Sequence, residues 1–368
     1  MRLLFISDIE SVHARRWASE MVHRGHKVTF LSVRPGELEG VKVLYYDPGD
    51  LPAPKWLKLI RHLWFILREW WLIRWGGFDI IHVHFLRADA IGWVATHHPR
   101  SVISVWGSDV RLVQEGGDPR RIGLRRRALE KAALVTATNQ FLENRAKQLT
   151  PRIKRVEVVP FGVDLSHFNR SSWIPPSSNV VRFLSIKPRL LHTYGPDIAI
   201  RAMAKVVREF PNVRLTLVGS GETTYVQELK NLVHELNLED HITFIEQVAF
   251  SEVPSIIAHT DVLVQSSRWE SFGVVILEAA AMGVPAIATD VGGVSNLLVD
   301  GDTGLIIAPE NSDALAVAML KLAKDKELRQ RLGENAYQLV ISQYDFQKNV
   351  DCMETLYNEL NKGRDLAC

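Results

Sequence analysis

Short apolar runs alternate with helical stretches, and the alternation runs through the chain twice. Leu3 to Ile6 reads as a strand and Val12 to Arg24 as a helix closed by Gly25. Lys27 to Val33, Val41 to Tyr46, Asp79 to His84 and Val102 to Val105 are further strand candidates. The pattern restarts at Arg182, with strands expected at Phe183 to Ile186, Arg214 to Val218, Ile242 to Ile245, Val262 to Gln265, Pro285 to Thr289 and Gly304 to Ile307. Helices are expected between them, among others at Asp197 to Glu209, Thr223 to Leu236 and Phe272 to Met282. Parallel strands need a crossover, and a helix is the usual one, so this order predicts parallel sheets covered by helices. Two such runs in 368 residues predict an α/β chain of two Rossmann-like domains facing a cleft. The expected limits are 1–170 and 179–340, joined by a Ser/Pro-rich linker at 171–178. A helical segment at 341–368 is expected to cross back to the first domain.

Composition narrows the class. With 46% hydrophobic and 23% charged residues, disorder, collagen and coiled coil are excluded. Two cysteines, Cys352 and Cys368, cannot make a disulfide framework or a four-cysteine zinc site. No run of 18 apolar residues is present, and Met1 to Ser7 reads as a strand rather than a signal peptide, so a cytoplasmic protein is expected. The net charge of +2 hides an asymmetry. Residues 1–170 carry 27 Lys and Arg against 17 Asp and Glu, whereas the rest carries 17 against 25. Eight of the ten tryptophans precede residue 107. A basic, tryptophan-rich half suits an anionic partner: nucleic acid, a membrane surface or an acidic acceptor.

The most informative segment is Glu270-Ser271-Phe272-Gly273-Val274-Val275-Ile276-Leu277-Glu278-Ala279, followed by Met282-Gly283-Val284-Pro285 and Gly292-Gly293. Arg24-Gly25-His26-Lys27-Val28, Ile81-His82-Val83-His84, Pro160-Phe161-Gly162-Val163-Asp164, Val218-Gly219-Ser220-Gly221 and Asp300 to Gly304 precede or follow it in a fixed order. A lone E-x7-E is weak, but this ordered set resembles glycosyltransferase family 4 over nearly the whole chain. The resemblance implies the GT-B fold and transfer of a sugar from a nucleoside-diphosphate sugar with retained anomeric configuration. It further implies that Glu270 contacts the transferred sugar, that Glu278 contacts the ribose, and that Arg189 binds the phosphates. No cofactor is implied beyond the donor.

Elementary chemistry agrees with those roles. If Phe272 opens a helix, its free backbone N–H groups suit an anion. Gly273 lets a ligand approach the backbone. Ser271, Val274 and Val275 would line that turn, and Gly219 and Gly221 would border the base or phosphates. A guanidinium at Arg189 forks onto phosphate oxygens. The family usually has a lysine five residues later, where this chain has Tyr194; Lys187 is the candidate replacement, with Tyr194 offering a neutral hydrogen bond. No metal is expected, since Asp300-Gly301-Asp302 reads as a turn.

The first domain departs from the family in two places. A Gly-Gly loop after the first strand is replaced by Asp8 to Trp17, where Ser11 can cap the following helix and His13 can reach the donor phosphates. Arg15 and Arg16 are candidate acceptor contacts. The family histidine near the reacting centre is replaced by Trp106, read here as an acceptor contact, leaving His84 and Asp109 as catalytic candidates. Lys55 to Trp75 carries five tryptophans and reads as a basic aromatic helix, either interfacial or packed on the sheet. Arg120 to Arg127 adds a second cationic cluster. The expected partners are therefore a nucleotide-sugar, a sugar or lipid-linked acceptor and an anionic membrane surface at the inner face of the plasma membrane; nucleic acid is not expected, as no binding module accompanies the charge. Two other readings stay open: a nucleotide-sugar 2-epimerase of the same architecture and a non-catalytic sugar-nucleotide-binding protein.

Overall fold

The computed structural model describes residues 1–32, 34–45, 55–86, 94–111, 119–174 and 180–363. They divide into two compact units, Met1–Phe161 with Lys348–Cys368, and Gly162–Gln347. The division therefore falls at Phe161, before the expected linker. The start of that linker belongs to the second unit: Arg170–Ser172 forms a 3-10 turn, and Ile174 N donates to Ala258 O at 2.8 Å. Residues 175–179 lie outside the described residues.

The first unit is a seven-stranded parallel sheet. Its strands are β1 (Arg2–Ser7), β2 (Lys27–Ser32), β3 (Lys42–Tyr45), β4 (Ile80–His84), β5 (Ser101–Val105), β6 (Leu134–Ala137) and β7 (Val156–Val158), in the order β3-β2-β1-β4-β5-β6-β7. β4 and β5 are buried on both faces, which is why they read as near-continuous apolar runs. The second unit is a six-stranded parallel sheet of β8 (Val181–Arg189), β9 (Val213–Ser220), β10 (Ile242–Ile245), β11 (Val262–Gln265), β12 (Ala286–Thr289) and β13 (Gly304–Ile307), in the order β10-β9-β8-β11-β12-β13. In each sheet the order reverses once, between β1 and β4 and between β8 and β11. Outside the carboxyl ends of the strands at such a reversal, open α/β sheets form their ligand sites. The candidate residues follow those ends.

Three helices close the chain, Ser312–Lys324, Lys326–Gln343 and Phe346–Lys362. The last one carries Tyr357, fully buried in the first unit with its hydroxyl 2.5 Å from His82 Nδ1, and Asp351 and Glu354, both paired with Arg24. The helix Lys55–Trp75 forms as expected. Among its described side chains Arg68 and Arg74 are exposed but Glu69 is 1% exposed, while Trp64, Trp71 and Trp75 are all more than 60% exposed. With Ile60 and Leu67 they recur every three or four residues and so form one outward stripe. No helix among the described residues is long and apolar enough to cross a membrane.

Candidate active site

In the second unit, β8 breaks register against β9 between Ile186 and Arg189, which sets Lys187 at the end of the strand. Its ammonium lies 2.5 Å from Glu270 Oε2 and 4.9 Å from the centre of the Tyr194 ring. Glu270 is 9% exposed and receives two more donors, Gln265 Nε2 at 3.2 Å and the Ser271 N–H at 3.1 Å. A carboxylate this buried needs such partners, because an unpaired buried charge is costly. Burial pushes the Tyr194 phenol above its usual range, and the charge of Glu270 adds to the shift. Tyr194 is thus a neutral ring beneath the Lys187 cation. Arg189, one residue beyond Pro188, is exposed at the strand terminus.

Glycines make this crowding feasible. A Cβ on Gly292 would lie 1.6 Å from the Glu270 carbonyl oxygen, and its φ of +58° is left-handed, so only glycine seats Glu270 there. A Cβ on Gly219 would meet the Lys187 carbonyl at 2.5 Å. Gly219 and Gly221 accordingly hold the end of β9 tight against the Lys187–Leu190 backbone. Arg268 forks onto Asp197 with two contacts of 2.8 Å and also donates to His192 O at 2.7 Å, pinning the loop after β11 to the one after β8.

The helix after Glu270 begins at Val274 with Gly273 as its N-cap, φ +90°, not at Phe272. Phe272 is 1% exposed and packs in the core instead. Glu270 therefore precedes the helix that carries Glu278. Glu278 lies in the helix and is 8% exposed. Val274 and Val275, half-buried, form its first turn, next to half-buried Ser271. Gln265 and Arg268 are not singled out by the sequence. A polar residue ending the apolar strand Val262-Leu263-Val264-Gln265 was the available signal for the first of them.

In the first unit, Asp109 is fully buried, and its carboxylate accepts N–H groups of Leu86 and Trp106 at 3.1 Å and of Gly107 at 2.7 Å. Burial raises its pKa and the three N–H groups oppose the rise. Asp109, expected as a catalytic residue, thus ties the loops after β4 and β5 together. Arg15 and Arg16 are likewise engaged with backbone: Arg15 Nη1 donates to Glu37 O at 3.1 Å and Arg16 Nη2 to Phe161 O at 2.9 Å. Ser11 caps its helix by accepting the Ala14 N–H at 3.4 Å.

His84 is 1% exposed, stacked on His82 with ring centres 3.9 Å apart, and its two nitrogens have no hydrogen-bond partner among the described residues. Burial lowers its pKa to about 3, so it is neutral at pH 7. His82, by contrast, is satisfied by Tyr357 and by Ser104 at 2.6 Å. His13 stacks on Phe161 at 4.2 Å, and burial, with the nearby Arg16 charge, lowers its pKa to about 3 also. Trp106 meets His84 edge-on at 5.4 Å and Phe161 at 5.1 Å. His13, expected at the donor, thus stands in an aromatic group of the first unit with Trp106 and His84.

Asp300 and Asp302 form the expected turn. Asp300 Oδ1 accepts the Ile306 N–H, and Asp302 Oδ1 accepts from Asn335 Nδ2, each at 2.8 Å. Within the Arg120–Arg127 cluster, Arg125 and Arg126 donate to the carbonyls of Ser108 and Leu149.

Both halves match models of known families: Glyco_transf_4, glycosyltransferase family 4, over residues 11–167, and glycosyl transferases group 1 over residues 173–339. An N-acetyl-alpha-D-glucosaminyl L-malate synthase of Bacillus anthracis is 30% identical over 371 residues, covering 93% of this chain and 91% of that protein. The chain belongs to glycosyltransferase family 4. A D-inositol 3-phosphate glycosyltransferase of Actinosynnema mirum is 28% identical over 71% of this chain and 68% of its own length. Among solved structures, Anabaena HepE in complex with UDP and glucose superposes with a TM-score of 0.78 at 20% identity, over 97% of this chain and all of that one. The chain is thus a GT-B glycosyltransferase with two parallel-sheet Rossmann-like units.

Proposed function

We propose that this glycosyltransferase moves a sugar from a nucleoside-diphosphate sugar to an acceptor hydroxyl with retention of anomeric configuration and without a metal ion. The observation that carries the reading is the Lys187–Glu270 pair at the reversal between β8 and β11. Glu270 offers its carboxylate to hydroxyls of the transferred sugar. Lys187 and Arg189 supply positive charge for the departing diphosphate, and the first turn of Val274–Ala281 adds backbone N–H groups. Glu278 accepts from the ribose. No side chain here is required as a nucleophile: the acceptor hydroxyl attacks on the face from which the diphosphate leaves, and the leaving phosphate takes its proton. The protein positions the reactants and stabilises charge. UDP-sugars are the first donors to try, because HepE holds UDP and the Bacillus anthracis relative is named for N-acetylglucosaminyl transfer.

The same reading places the enzyme on an anionic membrane surface at the cytoplasmic face, where it meets a lipid-linked or polysaccharide acceptor. The exposed stripe of Trp64, Leu67, Trp71 and Trp75 and the basic balance of residues 1–170 support it. The test is a thermal-shift panel of UDP-glucose, UDP-N-acetylglucosamine, GDP-mannose and ADP-glucose, followed by NMR of the product anomer, with and without excess EDTA. An α-linked product from an α-donor, formed at an unchanged rate in EDTA, is expected. An inverted product, or loss of turnover restored by magnesium or manganese, would refute the corresponding part.

A further inference from the structure

The aromatic group of the first unit also carries information about the acceptor, an inference that rests on the transfer reading above. Six groups converge at the ends of β1, β4, β5 and β7: His13, His84, Phe85, Trp106, Phe161 and the loop clamped by Asp109. Among the described residues His84 has two buried nitrogens without partners, an arrangement that costs free energy. Trp106, half-buried, stands over it edge-on. Phe85, directly after His84, has φ +66°, a left-handed conformation that an aromatic residue rarely adopts. Hydrogen bonds hold it there: the Phe85 N–H donates to Ser104 O at 3.0 Å, and the Ser7 hydroxyl donates to His84 O at 3.1 Å. Strain held in place beside unpaired polar atoms, at the strand-order reversal, marks a ligand position.

The chemistry of that position selects among acceptors. Its faces are rings, and its free polar atoms are imidazole nitrogens in their neutral form. Arg15 and Arg16, the cations nearest His13 in the chain, spend N–H groups on backbone carbonyls. A carboxylate or phosphate brought here would exchange its water for ring faces, neutral imidazoles and the Arg16 guanidinium, which already donates to Phe161 O; that is a poor exchange for a charge. A sugar loses little: its C–H face packs on an aromatic ring and its hydroxyls pair with imidazole nitrogen. We infer that the acceptor is an uncharged sugar ring, seated on Trp106 with a hydroxyl paired to His84, and not a small anion such as the malate for which the Bacillus anthracis relative is named.

Titration calorimetry on the full chain tests this. The probes are methyl α-D-glucoside, methyl β-D-galactoside, methyl α-D-mannoside and methyl N-acetyl-β-D-glucosaminide, set against L-malate and myo-inositol 1-phosphate. Saturable binding of at least one glycoside and of neither anion is expected. Trp106→Ala should weaken the glycoside by roughly tenfold or more, and Trp106→Phe should restore part of it. His84→Gln, which keeps a neutral hydrogen-bonding group, should bind better than His84→Phe. Binding of either anion, binding of no glycoside, or a glycoside affinity indifferent to Trp106→Ala overturns the inference. A parallel UDP titration reads the donor half separately: its failure in the wild-type chain would strike the proposed function, whereas intact UDP binding with failed glycoside binding strikes only the acceptor assignment.

Discussion

The two sheets share one geometry and differ in the chemistry at their reversal points. In the second unit paired charges dominate: Lys187 with Glu270, Arg268 with Asp197, and Arg182 with Asp261 near the base of the sheet. In the first unit the prominent groups are neutral, namely two low-pKa imidazoles, Trp106 and Phe161. The strand order decides where a ligand sits; the side chains decide what it is. A paired-charge floor suits a diphosphate and sugar hydroxyls, whose arrival redistributes existing charge. A neutral aromatic floor suits an uncharged ring.

The sharpest way to break that contrast is to remove a charge from the second unit. Arg189→Ala should slow transfer by roughly 100- to 1,000-fold, about 2.7–4 kcal/mol, the scale for losing one preorganised donor to a developing anion. Steady-state kinetics check it; a near-normal rate would leave Lys187 as the only cation of the site among the described residues. Lys187 itself is a poorer test, since deleting it strands a buried Glu270 carboxylate and costs stability as well as activity.

Acid separates the units next. His84 is neutral in the fold to about pH 3 but has an ordinary value of 6.5 in the unfolded chain, so on acidification the unfolded chain takes the proton first. Stability of the first unit should fall below pH 6.5, by up to about 1.4 kcal/mol per pH unit. Asp197 also loses stability on acidification, but in a lower window: burial works against its charge, the Arg268 fork overcomes it, and the pKa ends below 3.8. Its contribution is complete above that value and is lost only as pH falls through the lower folded one. Hydrogen exchange should therefore show β4 losing protection between pH 6.5 and 4.5 while β8 keeps it. Equal loss in both strands would contradict the contrast.

The smallest expected effect is at the membrane. The chain should co-sediment with anionic vesicles more than with neutral ones, and high salt should release it. Replacing Trp64, Trp71 and Trp75 by serine should reduce binding several-fold while leaving UDP affinity unchanged, because those side chains point outward. Arg127→Glu is a cleaner charge test than changes at Arg125 or Arg126, which hold backbone carbonyls. Equal recovery with both lipids would remove the membrane from the account.

Much of this was readable in the chain. Central strands such as Leu3 to Ile6 announce themselves because both faces are buried, and the Glu270–Glu278 segment marks the donor half by its spacing. β7 did not, since three residues are too few to show a period; β6, as short as β10 and β11, has only two strongly apolar residues, Leu134 and Val135, to mark it. The helix Lys55–Trp75 is apolar around most of its circumference, so its sequence could not say that Glu69 turns inward and the tryptophans outward. Phe272 looks like a helix start because the apolar run begins there, yet the left-handed Gly273 delays the helix to Val274. The Gly292 seat under Glu270 and the capture of Arg15 and Arg16 by carbonyls are long-range contacts that no local pattern encodes.

The most direct test of the central claim is the transfer rate of Glu270→Ala, measured with the donor that the thermal-shift panel selects. Glu270 accepts Lys187, Gln265 and Ser271 N–H in the free protein and is assigned the contact with the transferred sugar. Transfer should be abolished, with circular dichroism and UDP affinity close to wild type. Wild-type kinetics in Glu270→Ala would contradict the assignment of the donor site.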